Sequence, residues 1–222
     1  MANELAEFLG TFALILIGAG SICADVLSGG KLGITGIALA HGLTIMVMVY
    51  ALGHQSGGHF NPAVTAAMWL NRRIQPLRAL RYVAAQLAGA AAAAFLLRWI
   101  HPDLTHMPPY LGACRLTEVT VAVGIVIEAV LTLFLALAIW GTAIDPRSPK
   151  AAAGLAIGLT ITLDVLMGGY STGAAMNPAR AFGPALAIGQ WQHHLVYWLG
   201  PLIGACAGGL LYERIFLVKK RP

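Results

Sequence analysis

Charge is what this 222-residue sequence has least of: 10% of it is Asp, Glu, Lys or Arg, against 58% hydrophobic residues, with a mean hydropathy of +0.75. A soluble domain carries roughly 25% charged residues, so this chain lacks the polar surface to face water on all sides. A membrane protein is expected, and the length allows about six spans of ~20 residues with short connections. Cysteine is scarce too. Cys23, Cys114 and Cys206 form no CxxC and no Cys/His spacing, and they read as small buried hydrophobes. No metal-ligand spacing, nucleophile–base pair or site of paired carboxylates stands out, so neither an enzyme nor a cofactor is expected. The net charge of +5 comes without a basic stripe of interleaved aromatics, which excludes the usual nucleic-acid footprint. The first apolar stretch has Glu4 and Glu7 at its start, no basic n-region and no small-residue cleavage site. It is expected to be a retained helix, not a signal peptide.

Six long apolar stretches are present, at about 5–27, 33–53, 77–99, 117–141, 151–168 and 194–217. Two shorter ones, about 62–70 and 178–187, are too short to cross. With the amino terminus in the cytoplasm, that side holds Arg72, Arg73, Arg78, Arg81, Arg147, Lys150, Arg214, Lys219, Lys220 and Arg221. The other side holds Lys31, Arg98, Arg115 and Arg180. This asymmetry predicts both termini inside. The terminal VKKRP could bind anionic headgroups, although a topology anchor is the plainer reading. Gly154 and Gly158, and Gly200, Gly204 and Gly208, are four apart, a spacing that lets helices approach closely in lipid.

The chain repeats itself. Asn61-Pro62-Ala63 recurs as Asn177-Pro178-Ala179, an offset of 116; HGLTI at 41–45 matches IGLTI at 157–161 at the same offset. Glu7-x-x-x-Thr11 matches Glu128-x-x-x-Thr132 at 121, and QLAGA at 86–90 matches PLIGA at 201–205 at 115. Each half, about 1–110 and 115–222 of a single membrane domain, contributes three spans and one short helix. Three is odd, so the second half enters the membrane from the opposite side and the repeat is inverted, as in many transport folds. Proline suits the first turn of a helix and Asn the cap before it, so Asn61 and Asn177 are expected to cap two half-helices that start inside the membrane. The segments leading into them, 54–60 and 170–176, are Gly-rich and expected to be non-helical. Such backbone survives at membrane depth only where it is buried in protein or lines a water-filled cavity. Two helix amino ends at one point oppose cations, and two Asn amides holding one water would break a proton wire.

EFLGT at 7–11, SGGHFNPAVT at 56–65 and MNPARAFGPA at 176–185, with the six spans and the repeat, resemble the major intrinsic proteins, the aquaporin and glycerol-facilitator family. The resemblance covers essentially the whole chain. It implies an all-α polytopic fold of six transmembrane helices plus two re-entrant half-helices, one pore per subunit and a homotetramer. It places an outer selectivity filter on His41, Val165, Ala174 and Arg180 and a central constriction on the two Asn-Pro-Ala motifs. A buried arginine such as Arg180 costs at least ~2.5 kcal/mol on insertion scales, so it needs a paired or functional setting. Strict water channels of the family carry an aromatic at the His41 position and His at the Val165 position; glycerol facilitators carry bulky aromatics and Asp where this chain has Ala181. This filter departs from both and is similar to plant vacuolar-membrane aquaporins and the ammonia- and peroxide-permeable branch.

The expected function is a passive channel in the lipid bilayer for water and small uncharged solutes, namely ammonia and hydrogen peroxide with urea at the edge of the range, excluding protons and ions. The alternatives are a strict water channel, a coupled secondary transporter with Asp164 as its candidate ion site, and a structural membrane protein. Glu7 and Glu128, at matched positions, are expected to hold the carbonyls of the non-helical segments. His59 is expected to line the cytoplasmic half of the pore, His54 to cap or pack, and His106 to lie exposed in an extracellular loop. Asp164 reads as an acceptor that anchors the filter. A short chain with a bare amino terminus suggests the plasma membrane of a prokaryote.

Overall fold

The backbone polar groups of a chain this apolar are satisfied within helices. The computed structural model describes residues 1–217, and among the described residues there are helices, turns and loops but no strands. Lys219, Lys220 and Arg221, which entered the topology argument, and the whole of VKKRP at 218–222 lie outside the described residues. Apart from two short 3-10 helices, Pro102–Thr105 and Tyr110–Gly112, eight helices follow one another among the described residues: α1 (Ala2–Leu27, with a wide π-type turn over Leu14–Ala19), α2 (Gly33–Ser56), α3 (Pro62–Leu70), α4 (Pro76–Ile100), α5 (Val121–Ile144), α6 (Lys150–Gly168), α7 (Pro178–Ile188) and α8 (Val196–Leu211, continued by a wide turn over Tyr212–Phe216).

Five of these, α1, α2, α4, α5 and α6, are long and apolar enough to cross a membrane by length and composition. The sixth expected span, α8, has 16 α-helical residues, among them Gly200, Gly204, Gly208, Gly209 and the internal Pro201. Its small residues let it sit close to its neighbours. The short helices α3 and α7 have 9 and 11 residues, too few to span ~30 Å of hydrocarbon at 1.5 Å each. Two boundaries differ from expectation. Helix α2 continues through His54 to Ser56 and stops at Gly57, which adopts φ 95, so the first non-helical segment is shorter than 54–60. Helix α5 begins at Val121 and not at 117, because Thr120 accepts the Val123 N–H and caps it.

The helix pairs exchange under the repeat. Helix α1 packs on α4 as α5 packs on α8; α3 packs on α8 as α7 packs on α4; α2 packs on its own counterpart, α6. The close approaches fall on matched glycines. A Cβ on Gly89 would overlap the Phe8 carbonyl and one on Gly204 the Ala129 carbonyl, and Gly42 and Gly158 each lie against the other's carbonyl. Small residues of this kind let helices meet backbone to backbone where no hydrophobic drive separates lipid from Leu. Large apolar side chains such as Trp99, Phe134 and Leu163 face outward.

Gly204→Val inserts atoms where the α5 backbone stands, so we expect it to destabilise the protein by ~1–3 kcal/mol or to prevent recovery of folded protein. Gly53→Ala, whose Cβ would meet nothing closer than Val49 Cγ1 at 3.6 Å, is expected to leave the melting temperature in detergent unchanged or higher. Equal losses for the two would contradict the packing described.

Candidate functional site

Asn61 and Asn177 cap α3 and α7. Each has extended backbone, φ −157 and −154, followed by proline at the first helical position. The Asn61 Oδ1 accepts the Ala63 N–H at 2.8 Å; the Asn177 Oδ1 accepts those of Ala179 at 3.0 Å and Arg180 at 3.4 Å. Each amide then reaches into the other half. Asn61 Nδ2 donates to the Met176 carbonyl at 2.8 Å, and Asn177 Nδ2 donates to the Phe60 carbonyl at 2.9 Å. The two carbonyls are aimed by unusual backbone, since Phe60 and Met176 both have φ 49. A non-glycine residue in this left-handed region costs ~1–2 kcal/mol, so its surroundings must over-determine it.

Two buried glutamates do so. Glu7 accepts from Ser56 Oγ at 2.6 Å, the His59 N–H at 3.0 Å, the Phe60 N–H at 2.6 Å and Gln86 Nε2 at 2.7 Å. Glu128 accepts from Thr172 Oγ1 at 2.7 Å, the Ala175 N–H at 2.9 Å and the Met176 N–H at 2.7 Å. Both side chains are fully buried. The expectation that these residues hold carbonyls is thereby corrected: an ionised carboxylate can only accept, and it takes amide N–H groups, leaving the carbonyls free for the Asn clasp and the lumen. The networks differ in one place. Gln86 bridges Glu7 and Thr65 Oγ1, but its counterpart, Pro201, has no donor. Tyr82 donates to the Ser56 carbonyl at 2.9 Å, whereas the hydroxyl of its counterpart, Tyr197, is buried and unpaired.

Between the half-helices runs a cavity of about 70 Å³, with Asn61, Asn177, His59, His41, Ala174 and Arg180 on its wall among apolar residues that include Ile45, Ile157 and Ile161. At ~10–15 Å³ per water centre it has room for a file of roughly five waters. His59 faces this cavity with Nδ1 at 3.1 Å from Thr65 Oγ1 and its ring edge-on to Tyr82. His54 and His106 are exposed, and neither lines the cavity.

At one end stands Arg180, itself buried. Its Nη1 donates to the Gly112 carbonyl at 2.8 Å, and its Nη2 lies 3.3 Å from His41 Nε2. His41 Nδ1 is 2.9 Å from the Ile37 carbonyl. A carbonyl only accepts, so the ring proton belongs on Nδ1 and Nε2 is the acceptor facing the guanidinium: His41 is neutral. Arg180 Nε is buried with no partner, and among the described residues no carboxylate forms an ion pair with this arginine. Beyond it opens a wider cavity of about 310 Å³, lined by Tyr110, Gly112, Cys114, Arg115 and Gly173, with Arg180 on both walls. The Arg115 guanidinium lies 4.2 Å over the Tyr110 ring at this mouth. Val165 is buried but is not among the side chains lining the narrow cavity; Ile161, one turn earlier, is.

His41, Ala174, Arg180 and the two Asn-Pro-Ala segments are thus brought to one passage. Sequence reasoning did not find the Gly112 carbonyl, Gln86, Thr65, Tyr82 or Gly18, whose missing Cβ makes room for the His41 ring. Gln86 left a trace in the QLAGA repeat and Thr65 in the motif SGGHFNPAVT at 56–65.

Two half-helices meeting inside a bundle of membrane-crossing helices around a narrow, partly polar passage define a membrane channel. The model of the major intrinsic protein family matches residues 1–212, and the chain belongs to that family. It is 44% identical over 226 residues to aquaporin TIP4-4 of Zea mays, covering 97% of this chain and 86% of that one. It is 41% identical over 217 residues to aquaporin NIP1-1 of Oryza sativa subsp. japonica, covering 97% and 75%. Its fold is similar to that in the X-ray structure of the aquaglyceroporin from Plasmodium falciparum, with a TM-score of 0.87 at 22% identity over 97% and 96% of the two chains. The protein is therefore a multi-pass membrane channel for water and small solutes and not an enzyme. These sequence relatives are plant proteins, which fits poorly with a prokaryotic membrane.

The unequal tyrosines give a test of the site's wiring. Tyr82→Phe should cost ~0.5–1.5 kcal/mol of stability by leaving the Ser56 carbonyl without its donor, while Tyr197→Phe should be neutral or stabilising because it removes an unpaired buried hydroxyl. Thermal melts of the two variants in the same detergent check this; a larger loss for Tyr197→Phe would contradict it.

Proposed function

We propose that the channel passes water, ammonia and hydrogen peroxide, with urea at the edge of its range, and excludes protons and ions. The filter in this reading is His41, Val165, Ala174 and Arg180. The observation that carries it is the double tether of Arg180, to the Gly112 carbonyl at 2.8 Å and to His41 Nε2 at 3.3 Å. The guanidinium is drawn to the wall by groups that do not cancel its charge, the facing Ala174 is small, and none of the four positions is an aromatic of the Phe or Trp type. Arg180 lines the narrow passage, and its guanidinium serves there as a donor to a passing oxygen or nitrogen. Val165, buried one turn beyond Ile161, lines neither cavity and is assigned to the ring by its family position alone.

Asn61 and Asn177 form the central constriction with Pro62, Ala63, Pro178 and Ala179. One N–H of each amide is spent on the clasp, and the second is left for a water in the file. A water held by both must point its hydrogens outward in both directions, which interrupts the continuous orientation a proton wire needs. The half-helix amino ends add roughly half a positive charge each at the same point. His59 lines the inner half, and Glu7 and Glu128 support the two segments. The paired helix contacts and matching glutamate networks support reading the chain as one domain of two inverted repeats, and the Lys/Arg asymmetry of the connections supports both termini on the cytoplasmic side. Family membership supports a homotetramer.

Stopped-flow permeability of proteoliposomes with water, ammonia and hydrogen peroxide on one preparation tests this. Wild type should pass all three. His41→Phe with Val165→His should keep water and lose ammonia and peroxide by about tenfold or more, the ratio that ~1.4 kcal/mol of added barrier gives. Wild type passing water alone would make it a strict water channel, flux coupled to a proton gradient would make it a secondary transporter, and flux at the lipid background would make it a structural protein.

A further inference from the structure

Three carboxyl groups are buried in the membrane-crossing helices among the described residues: Glu7, Glu128 and Asp164. The first two accept four and three donors as described, the coordination of an ionised carboxylate. Asp164 is different. Its Oδ2 is buried and meets no hydrogen-bond donor, which corrects the expectation that it anchors the filter as an acceptor. Its place on α6 is informative. Ile157 and Ile161 line the narrow cavity, and Asp164 continues their stripe, three residues beyond Ile161 and seven beyond Ile157. One turn further, Gly168 lies against Leu131 of α5 and close to the Ala174 Cβ. This face of α6 therefore turns towards α5, the helix that carries Glu128, and towards the filter at Ala174.

A second anion here would be buried with its Oδ2 unpaired, on a face turned towards the helix that carries the first, a combination that proteins avoid by keeping a proton. An intramembrane ionisable group in such a setting is a functional site by default. We propose that Asp164 is held as a neutral carboxylic acid and that its proton sets the net charge at the Arg180 end of the pore. The ionisable groups around this end are Glu128 on α5, His41 on α2, Arg180 on α7, Tyr197 on α8, and Cys114 and Arg115 at the mouth. His41 is neutral by its hydrogen bonds, and Arg115 lies outside on Tyr110. The pair Arg180 and Glu128 sums to zero, with the positive end in the passage and the negative end sequestered by its three donors. Ionised Asp164 would add an unscreened negative charge behind the filter and cancel the barrier to cations. Asp164 is in this sense a specificity-determining residue that need not touch the solute.

The inference rests on reading Arg180 as the cation barrier. It is tested on wild type and Asp164→Asn in proteoliposomes, by infrared spectroscopy of the protonated carboxyl C=O stretch and by sodium and potassium flux across a pH series. At neutral pH the wild type should show a protonated-carboxyl band that Asp164→Asn lacks, with both proteins tight to cations. With rising pH the band and the barrier should persist together or be lost together, the loss admitting cations on the order of tenfold more. Asp164→Asn should stay tight throughout. Absence of the band at neutral pH, a leak while the band is intact, or tightness after the band is gone would each overturn the proposal. An Arg180→Val variant that stays cation-tight would instead overturn the reading of Arg180, while the band would remain.

Discussion

Non-helical backbone in the middle of a membrane has no bulk water to satisfy it, and the rest of this structure follows from how that demand is met. Two segments, each ending in a left-handed residue and an asparagine, satisfy one another. The side-chain amide of each half bonds the last free carbonyl of the other, at 2.8 and 2.9 Å. Neither half-helix could be placed without its partner, because the acceptor for each cap lies 115 or 117 residues away in the chain. The clasp consumes one N–H per asparagine and no more, so the structural joint and the solute path share the same two side chains.

The glutamates explain why the clasp holds its strained geometry. Each anion sits behind its segment and collects the amide N–H groups of the residues that turn back towards the asparagine. The first half is the more completely braced. Glu7 has the Gln86 amide as a further donor, and Gln86 also bonds Thr65 inside α3, so segment, half-helix and α4 form one hydrogen-bonded unit. In the second half Pro201 removes that donor and the Tyr197 hydroxyl has no partner. The fold is therefore nearly symmetric in its packing and unequal in its polar support, and the less supported segment is the one carrying Ala174 and leading to Arg180.

Charge placement follows the same economy. Among the described residues Arg180 is buried without an ion pair, and its stabilisation comes from a carbonyl and a neutral imidazole, groups that take its hydrogen bonds without neutralising its field. The carbonyl belongs to Gly112, in a turn where Tyr110, Leu111 and Gly112 all have positive φ and Leu111 is buried. A loop distant in sequence thus finishes the narrow passage, anchored by an apolar side chain.

Much of this was legible beforehand. Hydropathy and length marked the spans, because lipid imposes both on any helix that crosses it. The Asn-Pro pair marked the half-helices, because capping and proline geometry are local. The repeat was legible because counterparts carry the same residues at the same offsets, and the glycine spacing carried over into close helix contacts. Other features depended on atoms that only folding brings together. The direction of hydrogen bonding at Glu7 and Glu128, the neutral state of His41, the tether from Gly112 and the absence of a donor at Asp164 are relations between side chains and backbone tens of residues apart, with no local periodicity to reveal them. The sequence by itself determined which helices cross, where two of them stop short, and which polar residues are carried into the membrane. Tertiary structure decided which of those residues are paired and which are left free to meet a solute, because a buried group's chemistry is set by its partners, and the partners come from the other half of the chain.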